Sequence, residues 1–164
     1  GEGQDAYFGL SDLVDDYGFL MVAPDGTREN GPDENRFWNA STSCCNFFES
    51  EVDDSAYLAE IIDSIKSQYN VDDARVYLVG HSNGGFMSYR MAHDHSGTIA
   101  AIASLAGADQ SAGRPAPANP VHVLQIHGDA DTVISYDGGI FNGAPPTRAH
   151  AKASKPGPRT TGAR

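Results

Sequence analysis

Long apolar runs are missing from this chain. No stretch approaches the ~20 consecutive apolar residues that a membrane-spanning helix needs. Basic residues are scarce, with 11 Lys and Arg against 22 Asp and Glu and a net charge of −11 over 164 residues. Gripping phosphates or anionic lipids takes a basic face, so neither nucleic acid nor a membrane is expected as a partner. Cysteine is nearly absent, and the two present, Cys44 and Cys45, are adjacent. Neighbouring Cα atoms lie about 3.8 Å apart, below the usual disulfide range. Two unpaired thiols, or one whose partner is outside this chain, are therefore expected over a vicinal bridge. No internal repeat is present, and the first residues carry no charged-then-apolar leader. These absences leave an acidic globular chain of one domain's length, with enzyme and binding module both open.

The charge is unevenly spread. Residues 142–164 hold five basic residues and no acid, whereas residues 1–141 hold six basic and 22 acidic residues. The same tail has four prolines and no Leu, Ile, Val, Phe, Tyr or Trp. Such a segment buries too little apolar surface to offset its ordering entropy, so disorder is expected over 142–164 and a folded core over 1–141. An ordinary flexible tail and a frame-shifted or artificial end both fit this composition.

Within the core, apolar periods alternate between helix and strand. Residues 4–17 place Tyr7, Leu10, Leu13, Val14 and Tyr17 at helical spacing, with Gly18 as a stop. Residues 19–23 form a short apolar run closed by Pro24-Asp25-Gly26, which predicts a strand buried on both faces. Ser50 and Asp53 suggest a capping box ahead of a helical face made by Val52, Ala56, Ala59, Ile62, Ile65 and Tyr69. A buried strand over 76–79, a helix over 84–95, a strand over 99–105, a Gly/Pro/Ala loop over 107–120 and a strand over 121–126 follow. Strand alternating with helix predicts an α/β fold with a mainly parallel sheet flanked by helices.

Gly80-His81-Ser82-Asn83-Gly84 fits the G-x-S-x-G nucleophile elbow between a predicted strand and a predicted helix. That turn strains the serine backbone, and flanking glycines relieve clashes. The helix N-terminus favours a developing oxyanion, with the Asn83 N–H as first donor. A glycine-rich turn binding a phosphate or carboxylate is the plainer reading. A serine needs a base, and the base needs an orienting acid. Asp131, in the loop after the last predicted strand, stands where that acid belongs in the order Ser, Asp, His. A solvated turn aspartate, or a metal site shared with Asp129, also fits, as does a calcium module of Asp129, Asp131 and Asp137. Trp38, Phe37, Phe47 and Phe48 could line an acyl pocket or serve as core and loop anchors.

The stretch from Val79 to Ala92 resembles the elbow of the polyhydroxybutyrate depolymerase-like esterases, α/β-hydrolases close to feruloyl and acetylxylan esterases. Asp25-Gly26, Trp38-Asn39 with Cys44-Cys45, and His127-Gly128 to Asp131 with Tyr136-Asp137-Gly138-Gly139 agree, so the resemblance covers about residues 1–140. It implies a secreted serine esterase of the α/β-hydrolase type, acting without cofactor or metal on small or polymeric esters. By position it makes Ser82 the nucleophile and Asp131 the acid. It also marks departures. The family's strand and His-Gly loop ahead of the segment matching Gly1 are missing, which removes the second oxyanion donor. That strand would lie between 19–23 and 76–79, so its absence is expected to leave a gap in the sheet. The family's histidine follows one more strand, which this chain lacks, and a family cysteine is replaced by His93.

Of the six histidines only His150 follows Asp131, so it is the candidate base within this sequence. His81 is expected to point away from the serine, His122 and His127 to be structural, and His93 and His95 to suit a helix C-terminus. The preferred expectation is an internal piece of a longer esterase. A non-catalytic scaffold lacking the base is the alternative, and the oligomeric state is not legible.

Overall fold

Two glycines punctuate the N-terminal segment of the structure, a computed structural model that describes residues 1–110, 114–140 and 147. The helix predicted over 4–17 is broken into α1 (Glu2–Phe8), a 3-10 turn (Ser11–Leu13) and α2 (Val14–Tyr17). Gly9 turns left-handed at φ 63° and its N–H bonds the Asp5 carbonyl, which ends α1. Gly18, at φ 65°, ends α2 as predicted. The strand expected over 19–23 does not form, and Phe19, Leu20 and Val22 are exposed. A strand needs a neighbour to take its N–H and C=O groups, and among the described residues none lies alongside.

β1 (Thr27–Arg28) and β2 (Arg36–Phe37) pair as a short antiparallel ribbon. The polar stretch that follows is fastened by its own amides. Asn39 Nδ2 donates to the carbonyls of Ser50 and Val52, and Asn46 Nδ2 donates to Asn39 Oδ1 and the Ser50 carbonyl. Cys44 and Cys45 are disulfide-bonded to each other, which corrects the expectation of unpaired thiols. A tight turn accounts for it: Ser41 bridges Cys44, and Cys45 is left-handed at φ 74°, so adjacent side chains meet.

α3 (Asp54–Gln68) is capped by Asp53, whose carboxylate accepts the Ala56 N–H at 3.2 Å. The capping box predicted to open at Ser50 does not form, because Ser50 belongs to the amide-fastened loop. Asp54, 1% exposed, accepts from the Thr27 hydroxyl at 3.0 Å and the Asn39 N–H at 2.6 Å, joining ribbon, loop and helix.

The rest of the core follows the predicted alternation: β3 (Tyr77–His81), α4 (Asn83–Asp94), β4 (Ala101–Leu105) and β5 (His122–Ile126). The three strands are parallel in the order β3-β4-β5. The chain is thus an incomplete α/β-hydrolase-like fold: a parallel sheet with flanking helices, in which β3 pairs with β4 alone among the described residues. Because residues 19–23 form no strand, the side of β3 where a gap is expected is an open edge among the described residues.

Register separates the two faces of this sheet. Ile102 and Ser104 of β4 and Gly80 of β3 lie beneath α4 and are buried. Phe86, Met87 and Met91 of α4 pack on that face with Ile99 and Ile102. On the other face, in-register rows run Val79–Ala103–Leu124 and His81–Leu105–Ile126. Val79, Leu124 and Ile126 there are 47%, 58% and 51% exposed. The expectation that the strand over 76–79 is buried on both sides therefore holds for one face only. Parallel sheets are ordinarily covered on both.

Candidate active site

Ser82 heads α4 at the carboxyl end of β3. Its N–H donates to the Leu105 carbonyl of β4 at 2.8 Å, and its own carbonyl accepts the Phe86 N–H. The backbone is held at φ 51°, ψ −117°, a conformation non-glycine residues rarely adopt. The hydroxyl does not cap the helix and the residue is partly exposed, so the side chain is not consumed by the fold.

The glycines around the serine have different tasks. A Cβ on Gly80 would fall on the Gly84 carbonyl, so this position admits no side chain. A Cβ on Gly84 would meet nothing within 4 Å. The close approach is made instead by Gly85, where a Cβ would lie 2.6 Å from Ser104 Oγ and 2.9 Å from Gly107 Cα. The expectation that both glycines flanking Ser82 relieve clashes thus holds for Gly80 and moves from Gly84 to Gly85. Ser104 Oγ, beneath the elbow, is fully buried without a hydrogen-bond partner.

Asn83 is the first residue of α4, where a backbone N–H has no acceptor within the helix. Its side chain is tied down. Oδ1 accepts the Trp38 N–H at 2.6 Å and Nδ2 donates to the Trp38 carbonyl at 2.9 Å. Trp38 thereby holds the elbow from outside. Phe37 is buried, whereas Phe47 and Phe48 are 61% and 44% exposed.

Asp131 sits in the loop after β5, at the same carboxyl edge of the sheet. Two strand spacings, about 10 Å, separate the ends of β3 and β5. Asp131 Oδ1 accepts the N–H groups of Val133 at 2.8 Å and Ile134 at 3.0 Å. These bonds hold its carboxyl below the usual range. Oδ2 lies 3.3 Å from His127 Nε2.

Four of the five described histidines are otherwise engaged. The His81 ring stacks on Tyr7 at 5.2 Å. His93 Nε2 meets Asp109 Oδ1 at 3.0 Å, and His95 Nε2 meets Ser55 Oγ at 3.0 Å. His122 begins β5, at the opposite edge of the sheet from Ser82. His127, with a side chain 1% exposed, reaches the Ile134 carbonyl through Nε2 at 2.7 Å. His150 lies outside the described residues, as does all of 142–164 except Thr147, which bridges Gly139.

No protein-family model matches the chain. Curated proteins do. NocK of Nocardia uniformis subsp. tsuyamanensis, whose name assigns it as an esterase, is 31% identical over 140 residues, covering 84% of this chain and 38% of NocK. Feruloyl esterase B of Piromyces equi is 32% identical over 142 residues, covering 82% of this chain and 25% of that enzyme. This chain is an esterase homologue. The bifunctional acetylxylan esterase/xylanase XynS20E of Neocallimastix patriciarum adds 31% identity over 124 residues, covering 76% of this chain and 16% of that protein. The chain spans well under half the length of each of these relatives. Their names carry the esterase part of the resemblance, not the depolymerase part.

In this esterase homologue an open cleft of about 690 Å³ adjoins the loop that carries Asp131, lined by His127, Gly128, Asp129, Tyr136 and Asp137. Among the described residues no group of three or more His, Cys, Asp or Glu is arranged to hold a metal, which overturns the calcium reading of Asp129, Asp131 and Asp137. No helix there is long and apolar enough to cross a membrane. Sequence reasoning missed the tether from Trp38 to Asn83. It also missed Gln125, whose amide touches His127. A lone glutamine in an apolar strand was the available signal for the second. Nothing local announced the first, since 45 residues separate its partners.

Proposed function

We propose that this chain carries the nucleophile and acid of a serine carboxylic-ester hydrolase. The single observation that supports this most is the backbone of Ser82, strained at the carboxyl end of a parallel strand and at the head of a helix. Strain of that kind is maintained only where the surroundings impose it, and it aims the hydroxyl away from the sheet. In this reading the Ser82 hydroxyl attacks the ester carbonyl while a histidine takes its proton. The Asn83 N–H donates to the developing oxyanion. The histidine then protonates the leaving alcohol, and water releases the acid by the same route. Asp131 orients that histidine. Held low by two backbone N–H groups, its carboxyl is ionised at neutral pH and fit to bond an imidazolium.

His150 is the base proposed from within this sequence. The esterase relatives support short-chain, feruloyl or acetyl esters, and hydroxyalkanoate esters extend the class. A secreted protein acting without a cofactor fits the same reading. A second reading has its own support: the half-exposed apolar residues of the outer sheet face and the engagement of four described histidines suit a scaffold that binds but does not turn over.

Hydrolysis of p-nitrophenyl butyrate by the 164-residue chain, beside Ser82→Ala and His150→Ala, tests both. Turnover abolished by either substitution supports the esterase with His150 as base. Turnover lost only in Ser82→Ala moves the base to another histidine. A folded chain with no turnover and no labelling of Ser82 by a serine-directed phosphonate favours the scaffold.

A further inference from the structure

A chain of side chains runs from α4 through β5 to Asp131, and its protons can be placed without ambiguity. The Ile134 carbonyl only accepts, and it lies 2.7 Å from His127 Nε2, so that nitrogen carries a hydrogen. The Gly107 carbonyl also only accepts, and it lies 3.0 Å from Gln125 Nε2, which fixes that end of the amide as the donor. Gln125 Oε1 then accepts from the Tyr89 hydroxyl at 2.9 Å. The same Gln125 Nε2 lies 3.1 Å from His127 Nδ1, which must accept. Burial above all, and then the charge of Asp109, pushes the Tyr89 phenol up to about 12, so its hydroxyl keeps the proton it donates. Every link has one direction, and the imidazole at its end is a neutral ring protonated on Nε2, 3.3 Å from Asp131 Oδ2.

We propose that Tyr89, Gln125 and His127 form a positioning relay for Asp131, with Gln125 selecting the His127 tautomer whose Nε2–H donates to the carbonyl of Ile134, the residue whose own N–H holds Asp131. This rests on the reading of Asp131 as the acid and deepens it. Val133 and Ile134 hold Oδ1, and His127 anchors Ile134 through its carbonyl, so the segment that grips the carboxylate is itself fixed. Oδ2, with fewer bonds, is the oxygen left to orient a base. His127 is a positioning residue here, since both of its ring nitrogens already face partners.

Nitrogen NMR of the 164-residue chain reads the tautomer directly. The expected spectrum has His127 Nδ1 bare and Nε2 protonated; an Nδ1-protonated neutral ring overturns the relay. Gln125→Glu replaces the donor with an acceptor, so Nδ1 is expected to gain a proton and the carbon signal of the Asp131 carboxyl to move with it. An unchanged pair of signals in folded Gln125→Glu overturns the proposal. Tyr89→Phe covers the case in which that variant does not fold. It frees the Gln125 amide, and the His127 Nδ1 signal is expected to broaden or move; an unaltered signal overturns the relay. These readings do not depend on activity. Ester turnover separates the rest: Gln125→Glu is expected to lower kcat about tenfold with KM little changed. Turnover abolished in Ser82→Ala but untouched in Gln125→Glu, with the NMR signals shifted, would overturn the link to catalysis. A wild-type chain without turnover but with the expected spectra would leave the relay standing and remove the esterase reading.

Discussion

Asn83 and Trp38 exchange two hydrogen bonds, one side-chain amide gripping both the N–H and the carbonyl of one residue. The pair joins the loop after β2 to the first turn of α4, beside the strained serine. Asn83→Ala leaves the partly buried Trp38 N–H without its acceptor, while the Trp38 carbonyl keeps the Ala40 N–H, and is expected to destabilise by about 1–3 kcal/mol in urea unfolding. Asn83→Asp keeps an acceptor for the N–H but loses the donor and sets a charge against the carbonyl, so it is expected to do no better than Ala. Both variants retain the backbone N–H at position 83, which makes the tether separable from the proposed oxyanion contact.

Two neighbouring glycines are expected to respond oppositely. Gly85→Ala sets a methyl against Ser104 Oγ and the Gly107 backbone, and overpacking of this kind costs about 1–3 kcal/mol. Gly84→Ala enters open space in a helix, where alanine is favoured by up to about 1 kcal/mol. Thermal denaturation of the two variants checks the ordering, and a Gly84→Ala less stable than Gly85→Ala contradicts it.

Asp131 adds a pH dependence whose sign follows from its lowered carboxyl. The folded form binds the proton more weakly than the unfolded chain, whose carboxyl titrates near about 3.9. Its contribution is therefore present above that pH and lost as pH falls through the lower folded value. Urea midpoints of wild type and Asp131→Asn are expected to converge as pH drops below about 4. Parallel curves would place the acid sensitivity elsewhere.

The two faces of the sheet predict unequal tolerance. Ile102→Ala, beneath α4 at 2% exposure, is expected to cost about 2–5 kcal/mol. Leu124→Lys, on the open face at 58% exposure, is expected to stay within about 0.5 kcal/mol of wild type. A large loss in Leu124→Lys would mean that something covers this face in solution.

Local chemistry made much of this molecule legible. The period of apolar residues located α3, α4 and the three paired strands to within a few residues, because burial against one partner imposes that period wherever the partner lies. G-x-S-x-G placed Ser82 on a strand-to-helix turn because only a narrow set of residues fits it. What sequence alone could not decide was pairing. Residues 19–23 have the composition of a buried strand, yet strand formation is a property of two segments, and the neighbour is not beside them. Cys44 and Cys45 bridge each other because a left-handed residue folds the turn, which adjacency alone argued against. Which glycine bears the helix against β4, which side chain clasps Asn83 and which tautomer His127 holds were all set by contacts between distant segments. Hydrogen-bond direction and steric clearance depend on where such groups meet, and that is settled only in three dimensions.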